Sequence, residues 1–172
     1  MDSINLRTIG VVHTPFKKPK GTPIQSAMAD GARGTVTVIK EFRAGLRDLK
    51  GFERVWLITW FQRASEARLL VTPFLDDRQR GVFATRGPAR PNPIGTSSVR
   101  LLRIDGSVLE VADVDIIDGT PLLDFKPYVP AFDCYRVKRS GWLDKARAGR
   151  RHTGHSTAIQ RRQLVIRRER VS

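Results

Sequence analysis

The sequence has 172 residues, of which 40% are hydrophobic, and it carries a formal net charge of +14. This length favours one compact domain with a full hydrophobic core. The single cysteine, Cys134, excludes an internal disulfide, and the scattered histidines His13, His152 and His155 lack the spacing of metal ligands. We therefore expect neither a disulfide-stabilised secreted domain nor a metalloenzyme.

The first segments of the chain read as two strands joined by a long loop. Residues 5–14 (NLRTIGVVHT) and 35–42 (TVTVIKEF) alternate apolar and polar residues, as strands with one buried face do. Residues 14–34 hold three prolines and three glycines, so we expect a loop there with at most one helical turn, at 26–30. The residues expected to face inward are Ile9, Val11, Val36 and Val38.

A short helix and a buried strand follow. Residues 41–49 place Phe42, Leu46 and Leu49 on one helical face, and Gly51 ends the predicted helix. Residues 54–63 (RVWLITWFQR) are rich in aromatic and β-branched side chains, which favours a buried strand. We expect its aromatic residues to serve in the core and in subunit packing. They are Trp56, Trp60 and Phe61.

The second half of the chain adds three predicted strands, at 81–85, 97–104 and 108–116, with a tight hairpin turn at Asp105 and Gly106. Five or six short strands with one convincing helix do not suit a doubly wound sheet. They predict a mainly β fold, a small closed or nearly closed barrel with one or two short helices. Beyond the barrel, residues 140–149 predict a short helix capped by Ser140, and residues 158–171 fit either a strand or a helix.

The positive charge is concentrated at the carboxy-terminal end. Residues 136–172 hold 12 of the 31 Lys and Arg residues and only two acidic ones. This predicts a barrel domain over 1–135 followed by a basic extension over 136–172, whose charge is typical of a polyanion binder. We favour nucleic acid over a membrane because the extension lacks the long apolar face of an interfacial helix. We expect Trp142 to anchor the extension to the barrel, although stacking on an unpaired base is the alternative.

Two proline-punctuated segments carry the candidate chemistry. In residues 81–95 (GVFATRGPARPNPIG), three prolines stiffen the backbone around the arginines and the asparagine. Residues 115–133 (DIIDGTPLLDFKPYVPAFD) gather carboxylates, a lysine and a tyrosine. Irregular loops of this length are usually functional. Because the chain has no Walker-type lysine loop and no GxSxG motif, these groups suit a transfer reaction that depends on positioning an organic cofactor.

At these segments the chain resembles a known family. Residues 81–95 are similar to the signature GVFATRSPxRPNPIG of the YaeB-like, or TrmO, tRNA methyltransferases. Residues 115–133 resemble the family's DxxDGTPxxDxKPYxP motif, and the segments IGVVHTPF and GFERVWLITWF resemble its opening and central strands. The resemblance spans about residues 4 to 135.

The resemblance implies a β-barrel methyltransferase with S-adenosylmethionine as cofactor and no metal. Its substrate would be N6 of a threonylcarbamoylated adenosine next to the tRNA anticodon. It also implies a homodimer with the cofactor site near the subunit interface. By motif position, the implied cofactor contacts are Pro23, Ile24, Gln25, Gln62, Arg63, Arg86, Asp118, Gly119, Thr120 and Pro121. The chain departs from the family at Ile24, where arginine is frequent, and at Gln62 and Arg63, where histidine and glutamine are frequent.

Elementary chemistry suggests roles for the remaining polar residues. The lone pair of adenosine N6 is delocalised into the ring, so a carboxylate or backbone carbonyl that accepts its proton would help, and Asp118 and Asp124 are the candidates. Tyr128 is a further catalytic or base-contacting candidate. We expect Arg90, Asn92 and Lys126, together with Tyr128, to contact the substrate.

Two other readings stay open from the sequence alone. The first is an RNA-binding barrel without enzymatic activity, and the second is a methyltransferase with a different substrate. The amino terminus lacks a signal-peptide pattern, and no stretch reaches the about 18 apolar residues that a membrane helix needs. We therefore expect a cytoplasmic protein without a membrane segment.

Overall fold

The computed structural model describes residues 4–144, and its main feature is a closed barrel of six antiparallel strands. Around the barrel the strands follow the order β1, β2, β7, β6, β3, β8. A separate two-stranded sheet is made of β4 and β5. The strands are β1 (Gly10–His13), β2 (Arg33–Val38), β3 (Arg54–Trp60), β4 (Leu70–Val71), β5 (Arg80–Gly81), β6 (Ile94–Asp105), β7 (Val108–Ala112) and β8 (Thr120–Pro127). The described helices are the α-helix α1 (Pro130–Asp133), 3-10 helices at Ser26–Met28, Lys40–Leu46, Leu49–Gly51 and Val82–Ala84, and a helical segment at residues 142–144.

The predicted mainly β barrel is confirmed, and its core consists mostly of β-branched and leucine side chains from the inner face. Alternate residues of each strand point inward, so β3 buries Val55 and Leu57 while Trp56 and Trp60 stay half-buried on the outer face. The expectation that these tryptophans fill the core is therefore wrong. The fully buried core residues include Val12, Val36, Val55, Leu57, Val99, Leu109, Val111, Val114 and Leu122.

Several predicted boundaries change in the structure. In β1 the buried residue is Val12 rather than Val11, because three consecutive apolar residues leave the alternation ambiguous by one position. The predicted helix at 41–49 forms two 3-10 helices, broken where Asp48 adopts a φ of 65°. Its predicted apolar face is confirmed, since Phe42, Leu46 and Leu49 all pack on the barrel core.

The two motif segments also differ from the loops that the sequence predicted. The predicted strand at 81–85 is wrong beyond Gly81, because Val82–Ala84 forms a 3-10 helix whose carbonyls bond to side chains. The segment 115–133 contains β8, a full barrel strand that pairs with both β1 and β3. Its prolines lie near the ends of the strand, at Pro121 and Pro127, where a missing N–H costs least.

The hairpin between β6 and β7 is confirmed. Asp105 pairs with Val108, so that Gly106 and Ser107 form the turn, and Gly106 has a φ of 59°. A positive φ at the first turn residue matches the twist of the flanking strands and favours glycine.

Barrel closure decides where the loops lie. All six neighbouring strand pairs are antiparallel, so the chain runs alternately up and down through the barrel. The connections 14–32, 61–93 and 113–119 therefore leave from one end, which we call the upper rim. The connections 39–53 and 106–107 leave from the other end. The strand topology thus brings the motif-bearing loops to one end of the barrel.

A buried ionic cluster fixes the outer wall of the barrel next to the upper rim. The Asp113 side chain is fully buried and accepts hydrogen bonds from Arg54 Nη1, Arg100 Nε and the Gly31 N–H, at 3.0, 3.0 and 3.1 Å. Burial alone would raise the pKa of Asp113, but the bonds from Arg100 and Arg54 hold it below its ordinary value. The cluster ties the end of β7 to β3, β6 and the 14–32 loop.

We expect removal of the Asp113 carboxylate to destabilise the fold strongly. Asp113→Ala leaves two arginines and a backbone N–H without their acceptor and puts alanine at a φ of 65°, so it should cost about 3 to 5 kcal/mol in denaturant unfolding. Asp113→Asn tolerates that φ and keeps one acceptor oxygen, so it should cost less.

The pH dependence gives a second measurement at this site. Because the pKa of Asp113 is lowered, its stabilisation is present above the ordinary carboxyl range and is lost as the pH falls through the folded-state value. Asp113→Asn should remove this loss of stability at acidic pH. Glu41→Ala, which breaks the exposed pair with Arg7, is the control and should cost about 0 to 1 kcal/mol. Equal losses for the Asp113 and Glu41 variants would contradict the assignment.

Candidate functional site

Asp118 lies at the centre of the contacts on the upper rim. Its Oδ1 accepts a hydrogen bond from the Thr14 N–H at 3.0 Å, and its Oδ2 lies 2.6 Å from Lys17 Nζ. His13 Nδ1 is 3.7 Å from Oδ1. The Lys17 ammonium and the Thr14 N–H hold the pKa of the Asp118 carboxyl below its ordinary value, so this group is ionised at neutral pH.

Two residues after β3 connect the central strand to this cluster. Gln62 Nε2 donates a hydrogen bond to the Gly119 carbonyl at 2.9 Å. Arg63 Nη1 donates to the Lys17 carbonyl at 3.0 Å. Gly119 has a φ of 77°, which lets the chain turn from Asp118 directly into β8. Gln62 and Arg63, at two of the three positions where the sequence departs from the family pattern, therefore both take part in the rim contacts.

The side chains of Gln25 and Arg86 make a contact between two of the rim loops. Arg86 Nη1 donates to Gln25 Oε1 at 2.8 Å, and Gln25 Nε2 donates to the Ile24 carbonyl at 2.7 Å. Ile24 follows Pro23 in the chain and is 39% exposed. The contact joins the 14–32 loop to the arginine-bearing part of the 61–93 loop.

Arg90 has a structural partner in the same loop. Its Nη2 donates to the carbonyls of Val82 and Thr85, at 3.3 and 3.4 Å, and so holds the segment before Arg86 in place. Asn92 is exposed, and its backbone carbonyl accepts from the Ile94 N–H at 2.7 Å. The substrate contacts expected of Arg90 and Asn92 stay predictions.

A polar layer lies beneath the rim and above the apolar core. Asp115 Oδ2 lies 3.5 Å from Ser26 Oγ, while Oδ1 is buried and has no hydrogen-bond partner among the described residues. The buried hydroxyl of Thr59 likewise has no partner in the described part of the chain. Burial raises the pKa of Asp115, and hydrogen bonds from Ser97 and Ser26 offset only part of that rise. Two carboxyls in one connection, Asp115 and Asp118, thus have pKa values displaced in opposite directions.

Thr120 and Pro121, which were also predicted to contact the cofactor, make structural contacts within the chain. The Thr120 side chain is buried, and its hydroxyl donates to the Ile117 carbonyl at 2.6 Å. Pro121 lies opposite Val11 in the barrel wall.

Asp124 and Lys126 lie further along β8, and Tyr128 directly follows this strand, away from the upper rim. Asp124 lies four residues into the strand from Thr120, about 13 Å along its direction, and its Oδ2 is 2.9 Å from Lys126 Nζ. The ring of Tyr128 packs against Trp56 with 5.8 Å between centroids. Within one chain the structure does not bring these residues to Asp118, and their catalytic and substrate roles stay predictions.

A groove of about 570 Å³ lies on the outer wall beside Asp118. Its charged lining residues come from the loop after β1, from β2, from β7 and from the 113–119 connection, and β1 adds a histidine. They are Lys17, Arg33, Glu110 and Asp118, with His13. Of the residues predicted to bind cofactor, Asp118 alone lines this groove, so the Gln25–Arg86 side of the rim is separate from it.

Sequence reasoning missed some of the groups that build the site. Lys17 lies in a segment that was predicted only to be a loop, and no spacing in the sequence indicated its ion pair with Asp118. The cluster around Asp113 was missed because its partners are far apart in sequence. Trp142 was expected to anchor the extension, and its indole N–H does donate to the Ala84 carbonyl at 2.8 Å.

Within residues 4–144, no group of three or more His, Cys, Asp or Glu side chains is placed to hold a metal ion. In the same residues, no helix has the length and apolar character to cross a membrane.

The fold and the rim together define a small antiparallel barrel with a site built from three loops, and comparison with known proteins gives its family. The family model for the tRNA-methyltransferase O N-terminal domain matches residues 11–134. A probable S-adenosyl-L-methionine-binding protein of Pyrococcus abyssi is 54% identical over 139 residues, covering 81% of this chain and 76% of the relative. The chain belongs to the tRNA-methyltransferase O family.

Two further relatives are informative. The tRNA (adenine(37)-N6)-methyltransferase of Escherichia coli is 30% identical over 176 residues, covering 96% of this chain and 75% of the relative. A crystal structure of TrmO from Pseudomonas aeruginosa superposes with a TM-score of 0.69 at 35% identity. That match covers 82% of this chain and 63% of the Pseudomonas chain, so this chain spans less than two thirds of that protein.

The buried Asp115 carboxyl predicts a stability profile that falls toward neutral pH. Its folded-state pKa is raised, so the folded protein holds the proton more tightly, and stability falls as the pH rises from the ordinary carboxyl range through the raised value. Asp115→Asn keeps a neutral group of the same shape. The melting temperature of the variant should therefore rise relative to that of wild type as the pH increases from about 4 to 8. Glu66→Gln, at an exposed position, is the control, and parallel profiles for wild type and Asp115→Asn would contradict this account.

Proposed function

We propose that the protein is an S-adenosylmethionine-dependent methyltransferase that acts on N6 of an adenosine in tRNA. The observation that carries the proposal is the convergence of three loops on the upper rim through the Gln25–Arg86, Gln62–Gly119 and Lys17–Asp118 contacts. These are the segments that resemble the family's cofactor-binding motifs. The names of the relatives, an S-adenosyl-L-methionine-binding protein and a tRNA (adenine(37)-N6)-methyltransferase, support the same reaction.

The chemistry of the rim fits this cofactor. Arg86 is exposed and uses one Nη1 bond to Gln25 among the described contacts, which leaves guanidinium N–H groups for the cofactor carboxylate. The ionised Asp118 and the neighbouring carbonyls suit positive charge. Pro23 and the exposed Ile24 offer apolar surface to the adenine. When bound, S-adenosylmethionine supplies an activated methyl group whose departure leaves a neutral thioether, so no acid is required.

The contribution of the protein is then mainly positioning. Rim loops that are fixed by side-chain contacts before the ligands arrive can hold two reactants in a productive orientation, an effect worth up to about 7 to 11 kcal/mol. Asp118 accepts a hydrogen bond from an N6–H group and orients the nitrogen lone pair. Its lowered pKa makes it a weak base, so we assign it orientation and polarisation.

The finer substrate is the threonylcarbamoylated adenosine next to the anticodon. This proposal rests on the motif resemblance of residues 81–95 and 115–133. The carboxylate of the threonylcarbamoyl group suits a guanidinium or an ammonium, which Arg90 and Lys126 supply. A tRNA substrate also accounts for the net charge of +14 and agrees with a cytoplasmic location.

We further propose that the protein acts as a homodimer. Asp124, Lys126 and Tyr128 belong to a family motif, yet they lie along β8 away from the rim of their own chain. Trp56 and Trp60 are half-buried on the outer face of β3. A second subunit packed on the outer face of β3 and β8 would bring its own upper rim beside Asp124, Lys126 and Tyr128. Sedimentation that shows a monomer at assay concentration would exclude this arrangement.

Cofactor binding is tested by calorimetry with S-adenosylmethionine. Arg86→Ala should weaken the affinity about 10- to 100-fold, since it removes a charge-assisted hydrogen bond worth about 1.5 to 3 kcal/mol. Arg103→Ala is the matched control, because Arg103 is exposed and pairs with Asp105 at the opposite rim. No detectable binding by the unmodified protein would instead favour a non-enzymatic RNA-binding barrel.

The reaction itself is tested by methyl transfer from labelled donor to total tRNA, followed by nucleoside analysis. We expect the label on N6 of threonylcarbamoyladenosine and little transfer to tRNA that lacks the threonylcarbamoyl group. Label on unmodified adenosine would keep the reaction class and reject the finer substrate. Transfer to protein or to a small molecule, with none to tRNA, would reject the tRNA assignment.

A further inference from the structure

The 14–32 loop contains a turn that is rich in lysine and is held by its own hydrogen bonds. Residues 17–22 read KKPKGT. The Thr22 N–H donates to the Pro19 carbonyl at 3.1 Å, and the Thr22 hydroxyl donates to the Lys18 carbonyl at 2.8 Å. Gly21, in the third position of this turn, has a φ of 94°, which favours glycine. We call residues 17–22 the basic turn.

The start of the basic turn is fixed to the upper rim. The Asp118 N–H donates to the Phe16 carbonyl at 2.7 Å, and Lys17 Nζ lies 2.6 Å from Asp118 Oδ2. Arg63 Nη1 donates to the Lys17 carbonyl at 3.0 Å. The side chain of Phe16 packs against the barrel core. These contacts hold the basic turn beside Asp118 before a ligand binds.

The basic turn presents positive charge to solvent. Lys18 and Lys20 are exposed, and neither side chain has a hydrogen-bonding or ionic partner within residues 4–144. The surrounding segment 14–34 holds four Lys and Arg residues and one acidic residue, Asp30. Ammonium groups that the described part of the chain does not neutralise, placed close together on an ordered backbone, attract a polyanion.

The groove on the outer wall continues this basic surface. Its volume of about 570 Å³ is typical of a ligand site, and Lys17 and Arg33 line it. Arg33 is exposed, and its side chain likewise has no partner among the described residues. The two carboxylates of the groove are each balanced by a cation, Asp118 by Lys17 and Glu110 by Arg103, whose Nη1 lies 4.0 Å from Glu110 Oε1. A concave surface suited to anions therefore runs from the basic turn to Arg33.

The groove and the proposed cofactor contacts meet at Asp118. Gln25 and Arg86, which bond to each other, do not line the groove, whereas Asp118 belongs to both sets. A transfer reaction requires that its two reactants bind to separate surfaces that adjoin at the reacting groups. The groove side of Asp118 is therefore available to the substrate while the cofactor side is occupied.

We propose that the basic turn and Arg33 form a binding surface for the sugar-phosphate backbone of tRNA, which leads the strand along the groove to Asp118. The proposal rests on the proposed function and adds the surface that binds the substrate. RNA is favoured over an anionic membrane because a concave groove accepts a strand, whereas a bilayer surface would contact only the protruding lysines. Contacts of lysine and arginine with phosphate carry no sequence information, so this surface positions the tRNA. A turn that is ordered in advance also loses little conformational entropy on binding.

The test measures tRNA affinity and its salt dependence for the full chain and for charge variants. The double variant Lys18→Ala, Lys20→Ala removes two exposed ammonium groups and breaks no side-chain contact among the described residues. It should weaken tRNA binding about 10- to 30-fold at about 0.15 M salt, and the slope of log affinity against log salt should fall by about 0.7 to 0.9 for each lysine. The loss should be the same for tRNA with and without the threonylcarbamoyl group, and S-adenosylmethionine affinity should be unchanged.

Two further double variants are matched controls. Lys40→Ala, Lys50→Ala removes two exposed lysines from the 39–53 connection at the opposite end of the barrel, so it changes the net charge by the same amount. Its tRNA affinity should stay within about twofold of wild type, because salt screens charges at that distance from a strand on the upper rim. Lys18→Arg, Lys20→Arg keeps both charges and should bind tRNA as wild type does.

The variant Arg33→Ala tests the groove. The loss of one phosphate contact should weaken tRNA binding about fourfold at about 0.15 M salt. Arg43→Ala, at an exposed position in the 39–53 connection, is the control and should leave tRNA binding unchanged. Wild-type tRNA affinity in Arg33→Ala would exclude the groove and overturn the proposal.

The outcomes distinguish this proposal from the proposed function. If the unmodified chain binds neither S-adenosylmethionine nor tRNA, the proposed function falls and the binding surface falls with it. If it methylates tRNA, and Lys18→Ala, Lys20→Ala keeps the wild-type affinity and salt slope, only the binding surface is overturned. Equal losses for the two double alanine variants would also overturn it, since they would report net charge rather than a site. Loss of binding to phosphatidylserine vesicles with unchanged tRNA binding would assign the basic turn to a membrane and overturn the proposal.

Discussion

Antiparallel closure of the barrel is the constraint on which the rest of the structure depends. Because each strand runs opposite to both of its neighbours, every second connection must leave from the same end. Three segments separated by tens of residues in sequence therefore meet at the upper rim without any long-range signal between them. The contacts from Gln25 to Arg86, from Gln62 to Gly119 and from Lys17 to Asp118 then fix their spacing. The barrel topology brings the three loops to one end, and the side-chain contacts hold them in place.

The rim differs electrostatically from the core on which it stands. Asp118 is held ionised by an ammonium and a backbone N–H, whereas Asp115, three residues earlier, is buried above the apolar core with its pKa raised. The same connection thus holds one ionised carboxylate at the rim and one carboxyl whose pKa is raised by burial. Thr59 Oγ1 and Asp115 Oδ1 are both buried in the polar layer beneath the rim and have no hydrogen-bond partner among the described residues. This layer separates the chemistry of the rim from the hydrophobic interior.

Local patterns in the sequence predicted the barrel and its functional loops, and they failed where long-range contacts decide the structure. Alternation identified β2, the content of aromatic and β-branched residues identified β3, and the turn at Asp105 and Gly106 identified the hairpin of β6 and β7. Strand β8 was read as a loop because Pro121 and Pro127 look like punctuation, yet both lie near its ends. The cluster around Asp113 gives no sequence signal, since its charge is balanced by Arg54 and by Arg100 on other strands. The motif residues Gln25, Arg86 and Asp118 were predictable as a set, but the ion pair that holds Asp118 was not.

The 82–86 segment carries Arg86 and is held in position by side chains from outside the segment. A 3-10 helix of three residues has too few internal hydrogen bonds to hold its own position, so it depends on the side chains that occupy its carbonyls. Arg90 donates to the carbonyls of Val82 and Thr85, and Trp142, which follows the barrel, donates to the carbonyl of Ala84. Arg86 extends from this segment to the loop that carries Gln25. The position of the Arg86 guanidinium is therefore determined partly by Trp142, a residue that lies outside both the barrel strands and the rim loops.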